Sequence, residues 1–179
     1  MIKEIGKNKK INFIQLFSKN KCTDKEFIKK IYIELKKPIF VLALSISNDY
    51  YAAEDILQET FIKVINNIDS FAKGTNAKAW ILTIARNTAL NHVNKLKREC
   101  LNEDISIKDN TCFTEEVESS IEFLRLIEPL NEEEKQIIAL RLSAGLSHKD
   151  ISKALAIPLV NVRKKYSRAL KKLKQIYKD

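Results

Sequence analysis

The sequence predicts an all-α protein of two small helical domains joined by a flexible acidic linker, and three observations carry that prediction. Apolar residues recur at spacings of three and four along most of the 179 residues, with no sustained alternation of the kind a half-buried strand shows. Glycine and proline number three each, too few for the turn density of an all-β fold. The helical period also fails once at length, through ECLNEDISIKDNTCF, residues 99–113, a polar and acidic stretch that divides the chain. The expected organisation is therefore a basic extension over 1–22, a helical bundle over 23–98, the linker over 99–113 and a second helical unit over 114–179.

The first helix is expected from about Asp24 to Ser47, with Pro38 kinking or breaking it, because proline removes a donor and crowds the preceding turn. A second helix starts near Tyr51 and places Ala52, Ala53, Ile56, Leu57, Thr60, Phe61, Val64 and Ile68 on one face. SFAKGTNAKAW, with Gly74 and Asn76, is a loop. A third helix runs from about Asn76 to Arg98, with Trp80, Ile81, Ile84, Ala85, Thr88, His92 and Leu96 inward. Beyond the linker, Val117, Ile121, Leu124 and Ile127 mark a helix from Thr114 that Pro129 stops. Asn131 caps the next helix, whose first turn holds Glu132, Glu133 and Glu134, and Gly145 ends it in the left-handed region. Ser147 caps a short helix with Asp150 at the third position, and Pro158 opens the last one.

The net charge of +9 is unevenly placed. Residues 1–23 carry +5, residues 24–98 carry +4, residues 99–120 carry −6 and residues 161–179 carry +7. Two basic regions around an acidic connector suggest a polyanion touched at two places, although charge kept for solubility stays open on these numbers alone. No run of apolar residues is long enough to span a membrane, and INFIQLF is too short and polar for a signal-peptide core. Three scattered cysteines and two histidines make no paired or metal-ligand spacing, so no cofactor or metal and a reducing, cytoplasmic setting are expected.

Three surfaces invite a function. In AEDILQETF, residues 53–61, Asp55 and Glu59 lie four apart on one face beside Glu54 and Gln58. Like charges at that spacing oppose the helix by a few tenths of a kcal/mol, about, so a cationic protein partner competes with simple dipole stabilisation as the reason for them. In the third helix, Asn87, Asn91, Asn94 and Arg98 recur at four, three and four, bordered by Lys95. Amides are mediocre helix formers, and such a stripe suits contact with bases or a phosphate backbone, or an ordinary solvent face. Trp80 beside that stripe suits the core better than a stacking platform. Finally, SHKDISKALAIPLVNVRKKYSRALKKLK, residues 147–174, has a short helix, a tight turn and a longer basic helix. Ile151, Ala154, Leu155, Val162, Tyr166, Ala169, Leu170 and Leu173 face inward, leaving Leu159, Val160, Asn161, Arg163, Lys164, Lys165 and Arg168 outward. Cations and an amide at the start of a second helix are helix-turn-helix chemistry, which a solvated two-helix hairpin imitates.

Taken together, AEDILQETF, KAWILTIARNTALNHVNK and PLNEEEKQIIALRLSAGLSHKDISKALAIPLVNVRKKYSRALKKLK resemble, in that order, the bacterial extracytoplasmic-function (ECF) sigma factors. The resemblance covers nearly the whole chain after the first twenty residues. It implies a non-enzymatic subunit that binds core RNA polymerase through its β and β′ subunits and directs it to promoter DNA. Asp55, Gln58 and Glu59 would meet the β′ clamp. Lys73 and Asn76, in the loop from Phe71 to Ala79, would meet a base flipped from the −10 element. Asn87, Asn91, Asn94, Lys95 and Arg98 would contact that same element. Leu159, Val160, Asn161, Arg163, Lys164 and Arg168 would read the −35 duplex. Members are commonly restrained by an anti-sigma factor. Two departures stand out: Ala156 occupies a turn position where glycine is frequent, and Val160 one where a small residue is usual. A left-handed alanine costs about 1 kcal/mol, so an adjusted turn is expected there.

Overall fold

A computed structural model describes residues 25–72, 75–99 and 115–177. The extension over 1–22, Lys73, Gly74 and all of the linker except Glu99 lie outside the described residues. Among the described residues the α-helices follow in order: α1 Lys25–Ser47, α2 Tyr50–Asn66, α3 Ala77–Glu99, α4 Glu115–Ile127, α5 Glu132–Leu142, α6 His148–Leu155 and α7 Leu159–Ile176, with a 3-10 turn at Ile68–Ser70 between α2 and α3. No strand occurs among the described residues, in keeping with the all-α expectation.

α1 runs without a break through Pro38. The expectation of a break fails because Leu35, Ile39 and Leu42 around that proline are completely buried. Each contributes about 1.5–3 kcal/mol of burial, more in sum than the roughly 3 kcal/mol that an interior proline opposes. Asn48 then takes a left-handed φ of 53°, and the Asp49 carboxylate accepts the Ala52 N–H at 2.6 Å, so α1 turns into α2 within two residues. α2 buries Ala52, Ala53, Ile56, Thr60, Phe61 and Val64. α3 buries Ile81, Leu82, Ala85 and Ala89, completing a three-helix bundle with α1 and α2. Its last inward candidate, Leu96, is exposed.

The C-terminal half builds its caps locally. Asn131 and Glu134 form a reciprocal capping box at the start of α5. Gly145 has φ +67°, and Leu146 donates back to the Leu140 carbonyl at 3.2 Å. Arg141 secures the same loop by donating to the Leu146 carbonyl at 2.8 Å. The Ser147 hydroxyl accepts the Asp150 N–H at 3.1 Å and donates to the Asp150 carboxylate at 2.6 Å. These caps order α5, α6 and α7 about two cores. A small one joins Ile127, Leu130, Ile138 and Ala169. The larger one is continuous across both halves: Ile137, Leu140, Leu146, Ile151, Leu155 and Val162 pack in one cluster with Leu35, Leu42, Ile81 and Ala85.

Candidate nucleic-acid and partner interfaces

α2 separates its two faces cleanly. Its apolar side is fixed in the bundle, and Asp55, Gln58 and Glu59 stand exposed on the other. Their neighbours are already engaged. The Tyr50 hydroxyl donates to Glu54 at 2.7 Å, and that bond, with burial and the carboxylate charge, pushes the phenol up to about 12. Glu59 reaches Lys63 at 2.7 Å, whose ammonium also donates to Thr88 at 3.2 Å. Among the described residues, no ion pair or hydrogen bond engages the side chains of Asp55 and Gln58. Tyr51, Ile62 and Ile65 are exposed at helical spacing along the same face. Sequence reasoning passed over them, although each falls off the buried stripe, which is the signal that could have found them.

α3 presents Asn87, Asn91, Asn94, Lys95 and Arg98 to solvent. Arg98 Nε donates to the Asn94 carbonyl at 3.1 Å, holding the end of the stripe along the helix. Asn76 is exposed but has a local task, since its Oδ1 accepts the Ala79 N–H at 3.3 Å and so caps α3. Trp80 is half-buried, edge-on to Phe71 at 5.4 Å, and packs on the core. Below it, burial pushes the Lys78 ammonium down, opposed by Glu34 at 4.0 Å. Lys73 lies outside the described residues, so the loop is seen here only at its two ends.

The helix-turn-helix turn is not adjusted. Ala156 adopts φ 53° and ψ 39°, the left-handed region itself, at a cost of about 1 kcal/mol. The turn is held by Ile157 N–H on the Ser152 carbonyl at 3.1 Å and by the Ser152 hydroxyl on the Ile157 carbonyl at 2.6 Å. From Pro158, α7 buries Val162 and Ala169 and exposes Val160, Asn161, Arg163, Lys164 and Arg168. Two outward expectations need correction. Leu159 is only partly exposed, because it opens the helix beside the turn. Lys165 is half-buried in an ion pair with Glu133 of α5. Tyr166 packs tilted against His148, with ring centroids 4.9 Å apart. Burial, then Arg141 and Arg163, push that imidazole below its usual range, and its Nε2 lies out of solvent.

Among the described residues no group of three metal-ligating side chains forms, and no helix is long and apolar enough to cross a membrane. What the surfaces offer is binding: an acidic face on α2, an amide face on α3 and a cationic face on α7.

Comparison with known proteins follows the same division. Residues 31–99 match the model of Sigma-70 region 2, and residues 120–173 that of Sigma-70, region 4. The ECF RNA polymerase sigma factor EcfG of Rhodopseudomonas palustris is 30% identical over 135 residues, covering 73% of this chain and 74% of that protein. The ECF RNA polymerase sigma factor SigM of Bacillus subtilis is 27% identical over 160 residues, covering 84% and 94% respectively. Among solved structures, the sigma factor RpoE of Bartonella quintana, crystallised with the anti-sigma factor NepR, superposes with a TM-score of 0.69 at 25% identity, covering 87% of this chain and 98% of that one.

Proposed function

Since the chain belongs to the ECF sigma factors of bacterial RNA polymerase, which direct promoter-specific initiation, we propose that it does so through the three faces of α2, α3 and α7. Asp55, Gln58 and Glu59 dock on a cationic surface of core polymerase, the β′ clamp. Asn76, Asn87, Asn91, Asn94, Lys95 and Arg98, with Lys73, contact the −10 element. Leu159, Val160, Asn161, Arg163, Lys164 and Arg168 contact the −35 duplex, Arg and Lys through phosphates and guanine edges and Val160 through a thymine methyl. The units are 23–98 for clamp and −10, and 114–179 for −35. The work is binding without covalent catalysis, in the cytoplasm where polymerase acts. Unstacking a base costs a few kcal/mol, roughly, which contacts to the captured base offset by about 1–3 kcal/mol each. An anti-sigma factor that restrains the chain belongs to this reading, supported by the complex of the Bartonella relative with the anti-sigma factor NepR.

One observation supports this reading over a free-standing helix-turn-helix regulator. In a chain of net charge +9, Asp55 and Gln58 stand exposed and unengaged on a helix whose other side is locked in the core. Such a regulator has no use for that face. Asp55→Ala with Glu59→Ala is expected to weaken capture by core polymerase by roughly tenfold or more, and unchanged capture in a pull-down refutes the clamp assignment. Arg163→Ala with Lys164→Ala should cut run-off transcription from a −35-dependent promoter several-fold. Equal product from both proteins counts against the α7 assignment.

A further inference from the structure

The outer side of α2 is one continuous stripe. Tyr51, Asp55, Gln58, Ile62 and Ile65 recur at four, three, four and three, the spacing that gathers side chains on a single helix face. That face lies away from the side buried in the bundle, and Ile62 is 59% exposed on it. At its C-terminal end the stripe meets α1, where Tyr32, also exposed, packs against Phe61 with ring centroids 5.0 Å apart. Exposed apolar side chains grouped in this way mark an interaction surface. Glu54, Asp55 and Glu59 outnumber Lys63 along α2, so the surface selects an occupant that is both apolar and cationic.

The chain carries such a segment itself. Residues 1–22 hold six lysines and one glutamate, a net charge of +5, and INFIQLF within them, residues 11–17, has five apolar side chains in seven. Lysines stand on both sides of that core, Lys9 and Lys10 before it and Lys19 and Lys21 after it. The segment ends just ahead of α1, which begins at Lys25. α1 turns into α2 at Asn48 and Asp49 and α2 runs back beside it, so the start of α1 lies next to the end of α2, as the contact of Tyr32 with Phe61 shows. Residues 1–22 therefore join the body near the Ile62 and Ile65 end of the stripe. Charge favours this surface over the other exposed apolar patch. Leu126 and Tyr177 share a groove at the end of α7. Arg125 in that groove, with Lys171 and Lys174 on α7, outnumbers Glu122 and opposes a segment of like charge.

We propose that the outer face of α2 is the docking surface of the chain's own residues 1–22. INFIQLF covers Tyr32, Ile62 and Ile65, and the flanking lysines meet Asp55 and Glu59. The tether raises the local concentration of the segment to roughly the millimolar range, so individually weak contacts suffice. The consequence rests on the function proposed above. Asp55, Gln58 and Glu59 are the residues assigned to core polymerase, so the segment and polymerase compete for one face. A segment seated about 70–90% of the time leaves about 10–30% of the free chain competent, which weakens apparent capture by polymerase about threefold to tenfold.

The test uses the full chain with Cys22→Ser, Cys100→Ser and Cys112→Ser and a nitroxide on Asn8→Cys. Amide signals of Asp55, Gln58 and Ile62 are expected to broaden. Broadening at Leu126 and Tyr177 instead, or confined to the start of α1, overturns the docking surface. Broadening that arises only between a nitroxide-bearing chain and a separate isotope-enriched chain assigns the face to a second copy and overturns it as well. Phe13→Ser with Phe17→Ser, in the otherwise unsubstituted full chain, should bind core polymerase about threefold to tenfold more tightly. Equal affinities overturn the competition while leaving the function intact. If neither chain binds polymerase, the proposed function falls together with the competition, and the nitroxide result decides the docking surface on its own.

Discussion

The acidic first turn of α5 and the acidic face of α2 meet opposite fates. The first turn of α5 holds Glu132, Glu133 and Glu134, and every one is engaged: with Lys135 at 3.3 Å, with Lys165 of α7, and with Lys172 of α7 at 2.8 Å. On α2, Glu54 and Glu59 find local partners, but Asp55 and Gln58 do not. The difference is one of neighbours. α5 lies against α7, whose cations supply most of the pairing, whereas among the described residues no helix pairs its side chains with Asp55 or Gln58 on the outer face of α2. Internal pairing makes the α5 acids architectural. The unmet ones on α2 are left for a partner.

The largest effect that would break this contrast is at Glu134, which is 3% exposed, closes the capping box and takes Lys172. Glu134→Ala is expected to destabilise the chain by about 2 kcal/mol, combining a lost cap with a lost buried charge partner. Asp55→Ala should stay within about 0.5 kcal/mol. Denaturant melts of the two variants decide the matter, and equal losses would mean that α2's acids are structural too.

The sequence carried one side of this contrast and not the other. Asn131, Ser147 and Gly145 were legible because a cap or turn is decided within a few residues, whereas the turn at Ala156, expected to be adjusted, keeps its left-handed conformation. The exposed acid of α2 was legible too, since it follows from helical spacing alone. Pro38 misled, because a local rule was overruled by tertiary burial around it. Glu133 with Lys165, Glu134 with Lys172 and Arg86 with Gln136 were out of reach. These partners lie 32, 38 and 50 residues apart, and no spacing rule joins side chains on different helices. The seam between the halves escaped for the same reason: the buried stripe of a helix does not say which other stripe it meets.

Ala156 allows a finer cut within the C-terminal half. Its pairing network around α5 coexists with a strained turn between α6 and α7. Ala156→Gly should therefore raise stability by about 1 kcal/mol in a melt, partly offset by the greater freedom of glycine in the unfolded chain. No gain at all would mean that the turn bonds of Ser152 and Ile157, with their surroundings, already remove the strain.

The smallest effect on stability is at Glu133, and it sharpens the contrast most. Its carboxylate is half-exposed, so its pair with Lys165 contributes only about 0.5 kcal/mol. The same carboxylate, however, neutralises a cation one position along α7 from Lys164, on the helix assigned to duplex DNA. Removing it leaves Lys165 as an added positive charge beside Arg163, Lys164 and Arg168. Glu133→Ala should thus bind −35 duplex roughly twofold to fivefold more tightly, with a salt dependence steeper by about one phosphate contact. Fluorescence anisotropy over a salt series measures both quantities. A salt slope identical to that of the unsubstituted chain would make Glu133 purely architectural, like Glu134. A steeper one would show that an acid of α5 holds a cation of the recognition helix in reserve, a third fate for acidic side chains in this molecule.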